Sequence, residues 1–131
     1  HLKISATDVI LDCPPGVSCP AVNAVMDADV ILLVTEPTPF GFHDFALAWE
    51  AFAPLDKPLA VVVNRAGTGD HSVQAFCRDK GLPILAEIPD DRAVAEAYSR
   101  GQVAAAAIPA MGDIFRTVAA QLKAMSGGGH V

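Results

Sequence analysis

The chain has 131 residues, of which 52% are hydrophobic and 18% are charged, and its formal net charge is −6. A single folded domain suits this length and composition, and intrinsic disorder is excluded because disordered chains combine low hydrophobicity with high net charge. The acidic balance argues against nucleic acid as a partner, and the absence of any apolar run near the roughly 20 residues of a membrane span argues against a membrane partner.

Four short apolar runs alternate with longer stretches of helical character. The runs are residues 9–11, 29–35, 59–64 and 83–88, and each is followed at once by a charged residue or proline. Continuous apolar runs of this length, separated by helices, are typical of parallel strands that are buried on both faces. The sequence therefore predicts four parallel strands.

Five helices are predicted between and after these strands, over residues 19–27, 42–52, 72–80, 91–100 and 113–125. The third and fourth stop at Gly81 and Gly101, as glycine C-caps do. The fold class predicted is α/β, an open and mostly parallel sheet with helices on both faces. We expect one domain over residues 1–125 and a flexible, glycine-rich tail over residues 126–131.

Ligands of such sheets bind beyond the carboxyl ends of the strands. Four segments should therefore converge there: residues 12–16, 35–38, 64–65 and 88–91. This edge of the sheet is the predicted site.

Asp12 and Gly16 have the chemistry of a phosphate and metal site. An acid that closes an apolar strand can hold a hydrated Mg²⁺, which prefers oxygen ligands. Gly16 offers a backbone N–H with no side chain in the way, so a terminal phosphate could approach it closely. The alternative, a strand that ends in a turn with a solvated carboxylate, stays open on these residues alone.

Taken together, four tracts resemble the second half of the MinD/ParA/Mrp class of P-loop ATPases. They are DVILDCPPGVSCP, LLVTEPTPFGFHDF, VVVNRAG and EIPDD, and Gly101 follows about ten residues after the last. The similarity extends over residues 8–102. Within the class it is greatest to the MinD-type branch that carries an inserted ferredoxin module, which is related to the nitrogenase iron protein.

The resemblance implies roles for the first tract. Asp12 matches the Walker B acid, which acts on Mg²⁺ through water. Residues 13–16, Pro15 among them, match switch II, in which Gly16 would sense the γ-phosphate of ATP.

The resemblance also implies a place for the base. Asn64, followed by Arg65, matches the residue whose amide reads the adenine edge, and Pro89 and Asp90 match the loop that lies against the base. For residues 36–37, at the turn beside the nucleotide, a structural role is expected.

The three cysteines give no paired disulfide framework, so we expect a reducing, cytoplasmic setting. Cys19 lies seven residues after Asp12, which is the offset of an iron–sulfur ligand in the nitrogenase iron protein. A small, buried residue at a helix start is the alternative. Cys13 and Cys77 are expected to be packed in the interior.

The resemblance implies an ATPase that uses ATP and Mg²⁺, forms a homodimer and acts on an iron–sulfur or redox partner. The sequence contains no G-x-x-x-x-G-K-[ST] loop, so the chain alone is expected not to hydrolyse ATP. A non-catalytic dimerisation or docking module is the alternative function. A stand-alone flavodoxin-like or receiver-like domain is a third, for which Asp12 lacks a companion acid.

In this class the P-loop strand lies between the Walker B strand and the strand after it, here between residues 9–12 and 30–35. Its absence would leave unpaired backbone groups in the middle of the sheet. We therefore expect that the sequence is a fragment, that another chain fills the gap, or that the strands close up in a new order.

Overall fold

Three parallel strands form one sheet in the computed structural model, which describes residues 8–14 and 16–127. They are β1 (Ile31–Thr35), β2 (Leu59–Ala66) and β3 (Ile84–Pro89), in the order β1-β2-β3. Strand β2 is central in this order. Because both strand pairs are parallel, all three strands end at the same edge of the sheet. The predicted α/β fold class is confirmed.

Within the described residues, six helices accompany the sheet: α1 (Cys19–Val25), α2 (Pro39–Phe52), α3 (Ser72–Lys80), α4 (Arg92–Ser99), α5 (Ala104–Ala107) and α6 (Pro109–Met125). A 3₁₀ turn, Ala53–Leu55, follows α2. The sequence pattern missed α5 and started α6 four residues late, at Asp113 instead of Pro109. Proline at the first helical position is favourable, because its missing N–H would have no partner there.

Alternate side chains of β2 enter two different cores, one on each face of the sheet. Val61 and Val63 are fully buried and pack with Phe45 of α2 and with Val73 and Cys77 of α3. On the opposite face Val62 and Ile88 pack with α6, through Met111 and Val118. Helices therefore cover both faces, as predicted. Each fully buried valine contributes about 1.5–3 kcal/mol.

The predicted strand over residues 9–11 is not formed. Residues 8–14 have no regular secondary structure, and Val9, Ile10 and Leu11 are 78%, 69% and 54% exposed. The physical reason is pairing, since a strand needs a neighbour for its backbone N–H and C=O groups. In the part of the chain that the structure describes, β1 pairs with β2 alone, so the strands have not closed up in a new order.

The predicted tail over residues 126–131 lies outside the described residues from position 128 onward. Among the helices that the structure describes, none has the length and apolar character needed to cross a membrane.

Cys77 and Cys19 should differ in reactivity because they differ in burial. Cys77 is buried in the core between α2 and α3, and this burial raises the pKa of its thiol to about 11, whereas Cys19 is exposed at the start of α1. Thiolates are the nucleophiles. At about pH 9, near the ordinary pKa of a thiol, iodoacetamide should therefore modify Cys19 and leave Cys77 intact, as peptide mass spectrometry would show.

Denaturant supplies the control, because both thiols should then react at similar rates. Equal modification of Cys77 and Cys19 in the folded chain would contradict its burial.

Candidate functional site

The end of β1 is tied to the first turn of α2. Thr35 is buried, and its hydroxyl donates to the Gly41 carbonyl oxygen at 3.0 Å. Thr38 is the N-cap of α2, where its hydroxyl oxygen accepts from the Gly41 N–H at 3.0 Å. A Cβ on Gly41 would lie 2.4 Å from the Glu36 carbonyl oxygen. Glycine is therefore required where the helix backbone passes the strand end.

The loop that follows β2 lies directly against the loop that follows β1. A Cβ on Gly69 would lie 1.5 Å from the Pro37 carbonyl oxygen, which no side chain can tolerate. Pro37 is buried at this contact. The two loops therefore share one packed position at the strand ends.

Arg65, near the end of β2, has an unusual backbone. Its φ of 54° lies in the left-handed region, and it sits in a bulge, because two residues separate Val63 from Ala66 while one separates their partners on β3. Such a conformation costs about 1–3 kcal/mol. Two local bonds offset the cost: Asn64 Oδ1 accepts from the Arg65 N–H at 3.0 Å, and the Thr68 hydroxyl donates to the Arg65 carbonyl oxygen at 2.7 Å.

The Arg65 guanidinium joins the other two strand ends. Its Nη1 lies 3.8 Å from Glu36 Oε2 beyond β1, and its Nε lies 3.6 Å from Asp90 Oδ1 beyond β3. All three side chains are about half exposed, so each ion pair is worth at most about 1 kcal/mol. The main effect of Arg65 is therefore to position the two carboxylates, and its contribution to stability is small.

A cavity of about 440 Å³ opens beside these residues, and we name it the strand-end pocket. Its rim is formed by Asn64, Arg65, Pro89, Asp90 and Asp91, and its inner wall includes Leu32, Val62, Ile88, Val94, Phe115 and Val118. An apolar wall with a few polar groups at one end is the usual form of a small-molecule site. The predicted residues Asn64, Arg65, Pro89 and Asp90 therefore come together.

The rim has a negative balance. The rim carries the carboxylates of Asp90 and Asp91. Its guanidinium, that of Arg65, pairs with Asp90 and with Glu36, which lies outside the lining. These three carboxylates and one guanidinium leave two negative charges. An anionic group is disfavoured at such a rim, whereas a neutral ring with donor and acceptor atoms is compatible with it.

Asp12 and Gly16 are not among the residues that line the strand-end pocket. Asp12 is exposed within residues 8–14, and Gly16, with a φ of 88°, has open space around its Cα. Pro15 lies outside the described residues. The carboxylate of Asp8, at the start of this segment, lies 3.9 Å from Lys123 Nζ of α6.

Cys77 is buried and Cys13 is half-buried against the α2–α3 core, as expected. Cys19 is at the start of α1 but is exposed, so the expectation of a buried residue there is wrong. Over residues 8–14 and 16–127, no group of three or more His, Cys, Asp or Glu side chains is placed to hold a metal ion.

Two parts of the site were missed from the sequence. Val94 and Tyr98 of α4 line the pocket, and their spacing of four residues on one helix was a readable signal for a shared face. Gly69 had no such signal, because its close approach to Pro37 joins residues that are far apart in the sequence.

The chain is similar to proteins that are longer than itself. It is 34% identical over 93 residues to MJ0579, an uncharacterized protein of Methanocaldococcus jannaschii, which is 71% of this chain and 31% of that protein. MJ0578 of the same organism is 34% identical over 65 residues, 50% of this chain and 24% of that protein. No protein-family model matches the chain. The chain thus spans about a third or less of these two relatives.

A solved structure shares the fold. The crystal structure of the cell division ATPase MinD of Pyrococcus furiosus superposes with a TM-score of 0.67 and 26% identity, over 86% of this chain and 49% of that one. The chain therefore has a MinD-like α/β fold and spans about half of that protein.

The contact between Gly69 and Pro37 can be tested by stability. Gly69→Ala should lower the free energy of unfolding by about 3 kcal/mol, because the added Cβ forces the two loops apart. Gly67→Ala is the matched control, since a Cβ there meets nothing within 4 Å and its cost, about 1–2 kcal/mol, comes from the positive φ alone. Urea denaturation measures both, and equal losses would contradict the loop contact.

Proposed function

We propose that this chain is the base-binding part of a nucleotide-dependent ATPase, with the adenine ring held in the strand-end pocket. One observation carries the proposal: four residues that the sequence marked for nucleotide binding line a single apolar cavity. The likeness to a protein named as an ATPase supports the choice of ATP.

The pocket suits a base by size and polarity. Its volume of about 440 Å³ lies within the range of small-molecule sites. Phe115, Val94 and Val62 supply apolar surface for a flat ring, and the Asn64 amide supplies directional hydrogen bonds. The negative rim favours a pose in which the base lies inside and the phosphates point away.

Asp12 and Gly16 belong to the phosphate end of this proposal. The Asp12 carboxylate is an oxygen ligand of the kind that Mg²⁺ prefers. Asp12 is exposed and lies outside any helix or strand. Bound Mg²⁺ would neutralise charge on the phosphates. Gly16, whose Cα is open to approach, would place its N–H against the terminal phosphate. Hydrolysis would also need a P-loop, so we propose that this chain alone is inactive.

For the whole protein we propose a cytoplasmic homodimer of the ferredoxin-containing branch that acts on an iron–sulfur or redox partner. Cys19 supports this proposal, because its thiol is exposed and accessible to a partner. A non-catalytic docking module is the second candidate function. The observation that favours it is Phe40, which is 85% exposed in the first turn of α2.

Asn64→Ala tests the base site. The chain should lose about tenfold in affinity for Mg·ATP and for adenosine, because one hydrogen bond worth about 1–1.5 kcal/mol is removed. Isothermal titration calorimetry measures both ligands. Asn23→Ala, an exposed asparagine on α1, is the matched control and should leave both affinities unchanged. Equal affinities in wild type and Asn64→Ala would contradict the base site, as would no binding at millimolar ligand.

Asp12→Ala tests the phosphate end in a polypeptide that supplies a P-loop. Mg²⁺-dependent ATP hydrolysis should be abolished, because the carboxylate that orients the hydrated cation is lost. Phosphate release measures the rate, and Asp27→Ala, another exposed acid, should leave it unchanged. Undiminished turnover in the Asp12 variant would overturn the role of this residue.

A further inference from the structure

Two of the three cysteines lie on either side of a bend in the chain. Cys13 and Cys19 are six residues apart, and the chain bends at Gly16 and Val17 between them. Gly16 has a φ of 88°, and a Cβ there would meet nothing within 4 Å. A glycine with positive φ is typical of a tight reversal of the chain. The bend therefore turns the segment that carries Cys19 back towards the segment that carries Cys13.

The packing of both segments places the two cysteines at the same part of the core. Cys13 packs against the cluster formed by α2, α3 and the sheet, and Val22 of α1 packs against the same cluster. Val22 lies three residues after Cys19, so the two residues share one side of α1. Cys19 is exposed, whereas Cys13 is half-buried. One thiol is thus open to a reagent in solution, and the other lies on the core surface that α1 covers.

Neither cysteine is held in a way that opposes a bond between them. Cys13 belongs to no helix or strand, and its thiol donates only a weak bond to the Leu11 carbonyl oxygen, at 3.7 Å. Cys19 is the first residue of α1, and the N-cap, Ser18, makes no side-chain bond to the helix. A disulfide requires the two Cα atoms to lie about 4.4–6.8 Å apart. Movement of the residues around the bend suffices to meet this requirement.

We propose that Cys13 and Cys19 form a reversible disulfide within the chain, which makes the segment around Gly16 a thiol switch. Disulfides of reducing compartments are usually transient and redox-sensing. An accessible thiol beside a second, resolving thiol is the usual arrangement of such sensors. The bond itself does not depend on nucleotide. Its consequence rests on the proposed function, because the closed ring would restrict Gly16, which is proposed to bind the terminal phosphate.

A low-molecular-weight disulfide such as oxidised glutathione is the oxidant in this exchange. The Cys19 sulfur attacks one sulfur of the glutathione disulfide, and the first glutathione leaves as a thiolate. The Cys13 sulfur then attacks the Cys19 sulfur of the mixed disulfide, and the second glutathione leaves. The two thiols of the chain are oxidised, the glutathione disulfide is reduced, and both thiol protons pass to the departing glutathione.

Cys77 stays outside this exchange and is an internal control. It is buried, and its burial raises the pKa of its thiol to about 11. The reactive species in the exchange is a thiolate that the reagent can reach. Cys77 therefore lacks both the charge and the access that the reaction needs.

The test equilibrates the full 131-residue chain with reduced and oxidised glutathione, at about 1 mM each. Alkylation of the remaining thiols and peptide mass spectrometry then identify the products. Thiols joined by a short segment have an effective concentration in the millimolar range, so more than about half of the molecules should carry the Cys13–Cys19 bond. Cys77 should remain a free thiol. Cys19→Ser should abolish the bond within the chain.

Gly16→Ala tests whether the bend brings the thiols together. Alanine is strained at a positive φ, which the open loop can relieve and the closed ring cannot. The equilibrium constant for the bond should therefore fall about tenfold. Gly67→Ala is the matched control, because Gly67 also has a positive φ, of 91°, but lies outside this loop. That variant should leave the equilibrium constant unchanged.

The consequence for the phosphate end is tested in a polypeptide that supplies a P-loop. Oxidation by glutathione disulfide should remove most of the Mg²⁺-dependent ATP hydrolysis, and dithiothreitol should restore it. Cys19→Ser should make the rate independent of oxidation. Phosphate release measures each rate.

The outcomes separate the bond from its consequence. Free thiols at both positions, glutathione on each without a bond between them, or a Cys13–Cys77 bond would overturn the proposal. An equilibrium constant that Gly16→Ala leaves unchanged would overturn the part played by the bend. Equal hydrolysis by the oxidised and reduced forms would overturn the switch, although the bond would stand. No hydrolysis by the reduced form would contradict the proposed function and leave the bond in place.

Discussion

The fold depends on one constraint: three parallel strands end at the same edge, so the loops that follow them must share a small space. The chain meets this constraint by contact at the level of the backbone. Gly69 lies against the Pro37 carbonyl group, and Gly41 lies against that of Glu36, where a Cβ would overlap either oxygen. Because these backbone atoms are closely packed, the position of one loop determines the position of the next.

Two ion pairs of Arg65 also link the strand ends. Arg65 reaches the carboxylates of Glu36 and Asp90 at 3.8 and 3.6 Å, and both pairs are half exposed. The local hydrogen bonds from Asn64 and Thr68 offset the cost of the left-handed backbone at Arg65. The two ion pairs add at most about 1 kcal/mol each, so Arg65 serves mainly to determine geometry. Here the geometry is that of the pocket rim.

The sequence predicted well whatever depends on local pattern. The apolar run Leu59–Ala66 was identified as a strand for all but its last two residues, and α3 was predicted with its observed bounds. The wrong strand, residues 9–11, has the same apolar character, but pairing is a non-local property that composition does not encode. For the same reason the bulge at Arg65 was invisible: it is defined by the register between β2 and β3, and arginine is not a residue that marks a positive φ.

Strand β1, at one edge of the sheet, forms part of the wall of the strand-end pocket. Val34 of β1 is 64% exposed, although parallel sheets are normally covered on both faces and Leu32, two residues before it, forms pocket wall. A further strand beside β1 would pair its free backbone groups, and cover over it would bury Val34. That side of the pocket would then be enclosed, which strengthens hydrogen bonds at the rim by lowering the local dielectric. Affinity for the proposed base should therefore depend on what lies beside β1.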